Sequence, residues 1–346
     1  MKWFDRLRDP KRRDRSGEPA HGVHLTIAGA PEPGADARIW AVGGGKGGVG
    51  KTMVATNIGV LLSRQGYRVL LVDADLGAAN LHTLLGVEGS KVSLSSFLKG
   101  KVRDVEALIT KTGIPNLELI SGAKDSLDIA DIDEKAILRL RDALRKVNFD
   151  YVVIDLSPGT SSRTMDIFLI ADEGVVVTTP EPTSVENTYR FLKCLMLRWI
   201  RHVINSEQDS RLKELLGQVF SGDWSKRIKT VADIVTQLKQ MDTDQGEALK
   251  SLLGDISLSI ILNRSGSPDD MELGNSMRRA CRDYFGIDIA YLGAICQETS
   301  VEESVRLRRP LTVHYNSSSA AMAVEACVRN LMGNRNRQNS PRAAER

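Results

Sequence analysis

Residues 43–52 read Gly-Gly-Gly-Lys-Gly-Gly-Val-Gly-Lys-Thr, after the apolar run 39–42 and before the apolar-periodic segment 53–62. So many glycines let the backbone curl until successive N–H groups point at one anion. Lys51 then reaches the outer phosphates of a nucleoside triphosphate, and the Thr52 hydroxyl ligates Mg2+. Strand, glycine loop and helix N-terminus, in that order, are the setting in which such a loop works. The expected contacts are Gly45, Lys46, Gly47, Gly48, Val49, Gly50, Lys51, Thr52 and Met53, with Mg2+ as the companion cation.

Two acid-bearing stretches accompany the loop. Residues 69–75 read Val-Leu-Leu-Val-Asp-Ala-Asp, and residues 151–159 read Tyr-Val-Val-Ile-Asp-Leu-Ser-Pro-Gly. An apolar run ending in a carboxylate describes a buried parallel strand that delivers an acid at its C-terminal edge, where ligands of open α/β sheets collect. Asp155 is placed to hold a Mg2+-bound water. Gly159 is placed to offer its N–H to the γ-phosphate, a contact that lasts only while a triphosphate is bound.

Lys46 is a second charge inside the loop, and Lys-Gly-Gly-Val-Gly-Lys-Thr resembles the deviant Walker A motif of the MinD/ParA family. The resemblance covers roughly residues 37–330, and within the family the stretch 73–81 looks closest to the FlhG (FleN) branch and next to MinD. It implies a doubly wound, mostly parallel α/β sheet of the SIMIBI P-loop type. It also implies a slow, partner-stimulated ATPase that dimerises with ATP bound and sets the place or number of a flagellum, division site or other cargo in a bacterium. Lys46 would reach the ATP of the partner subunit, and Asp75 would orient or deprotonate the attacking water. Asp73 would support the magnesium shell, unless it is an ordinary strand-end acid. Asn263, at the end of Ile-Ile-Leu-Asn, would read the adenine edge, unless it is a plain turn residue.

There are departures from the family. Cys296-Gln297-Glu298 stands where relatives carry a proline near the base, no Asp-Gln-Ala motif precedes the core, and residues 334–341 have no apolar face. Two rival readings keep the same loop: a ParA-like partition ATPase binding DNA non-specifically, and an ATP-dependent metabolic ligase of the related fold.

The elements that must hold these residues follow from pattern. Strands are expected at 38–43, 68–73, 117–121, 150–155, 174–179, 257–263 and 289–295, alternating with helical periodicity. Residues 37–332 form the ATPase domain, interrupted by a helical insertion at about 195–255. Its faces are Trp199, Ile200, Val203 and Ile204, then Ile228, Val231, Ile234, Val235 and Leu238. It is either a decoration packed on the core or a docking platform. Ser184 or Thr183 is expected to cap the helix before it.

Of the 346 residues 42% are hydrophobic, enough for a full single-domain core, and no run is apolar enough to span a bilayer. Residues 1–20 carry seven Lys/Arg against four acids, and residues 333–346 four Arg against one Glu, so the body between two basic tails is mildly acidic. Residues 1–36 are expected to be a tail and linker and 333–346 a second tail, solvated or in weak contact with lipid or DNA phosphates. Trp3, Phe4 and Leu7 share one short face that offers a marginal anchor. Cys194, Cys281, Cys296 and Cys327 are scattered, so no structural metal cluster is expected. A cytoplasmic location is expected, with the inner membrane face or a cell pole as the peripheral alternative.

Overall fold

The computed structural model describes residues 36–88, 92–122, 133–206, 210–221, 230–254, 256–267 and 269–338. The face of Trp3, Phe4 and Leu7, residue Ile228, and nearly all of the N-terminal tail lie outside them.

Eight strands make one sheet among the described residues: β1 (Arg38–Gly43), β2 (Val69–Ala74), β3 (Ile109–Lys111), β4 (Leu117–Ile120), β5 (Tyr151–Leu156), β6 (Glu173–Thr178), β7 (Leu258–Ser265) and β8 (Ala290–Cys296). Their order is β3-β4-β2-β5-β1-β6-β7-β8. Every pairing is parallel except β3 with β4. Seven strands fall where the apolar runs put them. The eighth, β3, has only three residues and no apolar alternation, and it forms because the chain folds back against β4.

The central strands are apolar on both faces because both faces are covered. Ile39 and Ala41 point into one core and Trp40 and Val42 into the other, as the two-residue period of a strand requires. One face carries α1 (Lys51–Arg64) and α2 (Leu81–Leu84). The other carries α3 (Leu94–Leu98), α4 (Glu134–Lys146), α5 (Ser162–Leu169) and α6 (Pro182–Ser206). α6 runs without a break into the insertion, which continues as α7 (Ser210–Ser221), α8 (Val231–Met241) and α9 (Thr243–Gly254). Then come α10 (Asp269–Phe285), α11 (Thr299–Arg306), α12 (Leu311–His314) and α13 (Ser319–Gln338).

The structure corrects three expectations. Trp199, Ile200 and Val203 belong to the second half of α6 and not to a separate helix. Ser184 does not cap α6, which starts at Pro182. Its buried hydroxyl instead accepts the Thr179 N–H at 3.1 Å. Proline suits the first helical position because that N–H has no partner there anyway. Finally, α13 continues to Gln338, past the expected start of the C-terminal tail.

The insertion packs on the core. Leu212, Leu216, Ile234, Leu238, Leu249 and Leu253 are buried in the same cluster as the strand residues Ile39, Val152 and Val176. Among the described residues no helix is long and apolar enough to cross a membrane.

Candidate functional site

The glycine loop leaves the C-terminal edge of β1, between β5 and β6. Gly48 and Gly50 have φ of 78° and 96°, a left-handed backbone that glycine adopts without strain. Gly45 is held by a different constraint: a Cβ there would lie 2.1 Å from the Asn187 carbonyl oxygen, so the loop rests directly on the backbone of α6. Val49 is buried, and its carbonyl accepts the Asn263 Nδ2 at 2.8 Å. The donor side of the Asn263 amide therefore braces the loop from beneath. Met53 is buried in the first turn of α1.

The two lysines occupy opposite environments. Lys51 is 6% exposed, and its ammonium donates to the Lys46 carbonyl at 3.3 Å. Burial lowers its pKa, opposed by the charges of Asp155 and Asp75. Lys46 keeps 36% of its side chain exposed and lies on the outer surface of the loop. Its ammonium donates to Glu181 Oε2 at 2.6 Å and to Thr183 Oγ1 at 3.1 Å. That hydrogen bond and charge hold the Glu181 carboxyl below its usual range. Sequence reasoning missed Glu181 and Thr183 as partners; the only local sign was the Pro-Glu-Pro-Thr turn between β6 and α6.

Asp73 and Asp155 stand side by side across the β2–β5 pairing. Burial drives both carboxyls up, Asp73 to about 7 and Asp155 to about 8; the charge of Asp75 adds to the Asp73 shift and that of Asp73 to the Asp155 shift. Their hydrogen bonding differs. Asp73 accepts the backbone N–H groups of Asp75 (3.1 Å), Asn80 (2.9 Å) and Leu81 (3.0 Å). It thus anchors the loop that follows β2. Asp155 bonds the Thr52 side chain, while its Oδ1 is buried with no hydrogen-bond partner. A buried carboxylate oxygen so placed, beside a threonine hydroxyl, fits a hydrated divalent cation. Asp75 is half-buried, with Oδ1 facing the N–H groups of Gly77 and Ala78. Gly159, at φ 95°, donates its N–H to the Gly44 carbonyl at 3.3 Å. The loop after β5 is thereby tied to the glycine loop, through an N–H that a phosphate oxygen would compete for.

Lys46, Lys51, Thr52, Asp73, Asp75, Asp155 and Gly159 thus converge at the C-terminal edge of β1, β2 and β5, with Asn263 beneath. Backbone donors and one buried ammonium can cradle a polyphosphate. A buried acid with its threonine can hold a cation, and a second acid can face the attacking water.

A family model described as an AAA domain matches residues 37–208. The septum site-determining protein MinD of Synechocystis sp. is 30% identical over 281 residues, 78% of this chain and 98% of that protein. The putative MinD of Nephroselmis olivacea is 35% identical over 161 residues, 46% of this chain, and the match spans 58% of that relative's length. Among solved structures, the septum site-determining protein MinD from Pyrococcus horikoshii, complexed with Mg-ADP, superposes with a TM-score of 0.58. That match covers 88% of this chain and all of the other at 23% identity, a likeness of fold.

Proposed function

The chain belongs to the MinD/ParA family of P-loop ATPases, and on that premise we propose that it is an ATP-operated dimerisation switch. The observation that carries this reading is the contrast between the lysines. A single-subunit ATPase needs the buried Lys51 alone, whereas Lys46 is a surface cation on the rim of the same loop.

In the proposed cycle the loop glycines and Lys51 bind the phosphates, and Thr52 and Asp155 hold Mg2+. The Mg-ADP in the Pyrococcus relative supports both ligands. Magnesium supplies charge neutralisation at the β- and γ-phosphates. Lys46 leaves Glu181 and crosses to the partner subunit's nucleotide, placing positive charge where the transferring phosphoryl group develops negative charge. Asp75 orients the water, Asp73 keeps the loop after β2 in place, and Gly159 exchanges Gly44 for the γ-phosphate. Hydrolysis removes that contact, and the dimer opens.

The process served is the setting of a position or a number in the cell. The septum site-determining names of the relatives favour the division site, while residues 73–81 keep the flagellar-number reading as a second candidate.

The test is size-exclusion chromatography with light scattering, run alongside phosphate-release assays. Wild type should dimerise with Mg-ATP and dissociate as it hydrolyses, and Asp75→Ala should bind ATP and remain dimeric. Lys51→Ala should do neither. Wild-type turnover by Asp75→Ala removes that residue from the mechanism. Affinity capture with Asp75→Ala as bait, against Lys51→Ala, then separates division-site from flagellar partners.

A further inference from the structure

Behind the phosphate site lies a cavity of about 230 Å3. One wall is the segment after β2, with Asp75 and Gly77; the other is the segment after β5 and the first turns of α5, with Ser157, Arg163 and Ile167. No residue of the glycine loop lines it. Asp75 belongs to both places, since its charge also acts on Lys51 and Asp155. The cavity therefore starts at the reacting end of the site and extends away from the loop, towards α5.

Its walls are the segment that Asp73 anchors, which carries Asp75, and the segment whose Gly159 changes partner in the proposed cycle. They are tied by the Ser157 hydroxyl, which donates to the Ala74 carbonyl at 3.4 Å. The cation in this chamber is Arg163, half-buried, with a pKa lowered by burial. An arginine keeps its charge even so, and its planar fork of donors matches the oxygens of a tetrahedral oxyanion.

A product-release problem makes the position of this arginine meaningful. Two subunits closed over their nucleotides block the outer face of the loop, and ADP fills the inner side. Inorganic phosphate, which is anionic, must then leave past Asp75, between the segments after β2 and β5. We propose that this cavity is the exit chamber for inorganic phosphate and that Arg163 binds the phosphate there. The inference rests on the dimer reading above; the chamber itself is a feature of the single chain. Arg163 takes no part in bond breaking. It offers the departing anion a second cationic site, away from Lys51 and the metal.

The experiment is a titration of inorganic phosphate into the full chain loaded with Mg-ADP, followed by phosphorus NMR line broadening. Arg163→Gln should weaken phosphate binding about tenfold, the scale of one charge-assisted hydrogen bond, and Arg163→Lys should restore part of it. In turnover assays the phosphate concentration needed for product inhibition should rise by a similar factor, with the KM for ATP unchanged. Unaltered ADP affinity in Arg163→Gln shows that the loop is intact. Equal phosphate affinity in wild type and Arg163→Gln overturns the assignment. So does a variant that loses only partner-stimulated turnover, which would give the cavity to an acidic side chain of a protein partner. A wild-type chain that binds phosphate through Arg163 yet stays monomeric with ATP overturns the dimer reading and the exit role, and leaves an anion site.

Discussion

Asp155 is a buried carboxyl whose Oδ1 has no hydrogen-bond partner, and it shows what the site costs the protein. Desolvating such an oxygen is unfavourable by about 1–3 kcal/mol, on the scale seen for unsatisfied buried groups. Asp155→Asn keeps the shape and removes the ionisable carboxyl, whose charged form burial and Asp73 both disfavour. The nucleotide-free variant should therefore melt a few degrees above wild type, while Mg-ATP should no longer raise its melting temperature. Calorimetry with and without Mg-ATP checks both halves. A lower melting temperature in the nucleotide-free variant would mean that Asp155 is structural. Lys46 yields the opposite kind of prediction. Its pair with Glu181 is largely exposed, so it adds little stability. Lys46→Ala should melt like wild type, bind ATP, remain monomeric, and lose about 10^3-fold or more in turnover, the range for a charge supplied in trans.

At the scale of elements, α6 links the loop to the rest of the molecule. Its first half supports Gly45, its preceding residue Glu181 holds Lys46, and its second half is clamped to α5. The clamp is a bidentate Arg198–Asp166 pair at 2.6 and 2.7 Å, with the His202 Nε2 2.9 Å from Asp166 Oδ1. Burial pushes the Asp166 carboxyl up, but the hydrogen bonds from His202 and Arg198 and the Arg198 charge outweigh it, and the net value is lowered. A carboxyl lowered on folding stabilises the fold above its unfolded value of 3.8, and that contribution is lost as pH falls through the folded value. Acid unfolding followed by circular dichroism should lose this contribution only below the ordinary carboxylate range. Asp166→Ala, which strands Arg198, should cost about 3–5 kcal/mol in denaturant melts at neutral pH. Gly45→Ala tests the other end of α6. Its Cβ would meet the Asn187 carbonyl, so the loop must lift off α6. Titration with a fluorescent nucleotide should show affinity falling, with a stability loss of about 1–3 kcal/mol.

The described residues of the whole molecule form one sheet with two cores, and the insertion α7–α9 completes one of them. Leu216 is fully buried, in the same core cluster as Phe191 and Val176. Leu216→Ala should cost about 2–5 kcal/mol and lower the single unfolding transition of the whole chain. A separate early transition would instead make the insertion an independent unit.

The amino-acid sequence by itself determined the family, the candidate site residues and most of the sheet. A glycine loop, strand-end acids and apolar runs are local patterns, set by backbone geometry and by a period of two, and they are readable without knowing what lies opposite. Tertiary structure alone decided which lysine is buried, that Glu181 holds Lys46 across 135 positions, and that Asn263 braces Val49 across 214. It also decided that Asp73 spends its oxygens on the following loop, and that Arg163 shares a cavity with Asp75. Those outcomes depend on which side chains the crossovers bring together and on how much water each loses there, and no local pattern encodes either.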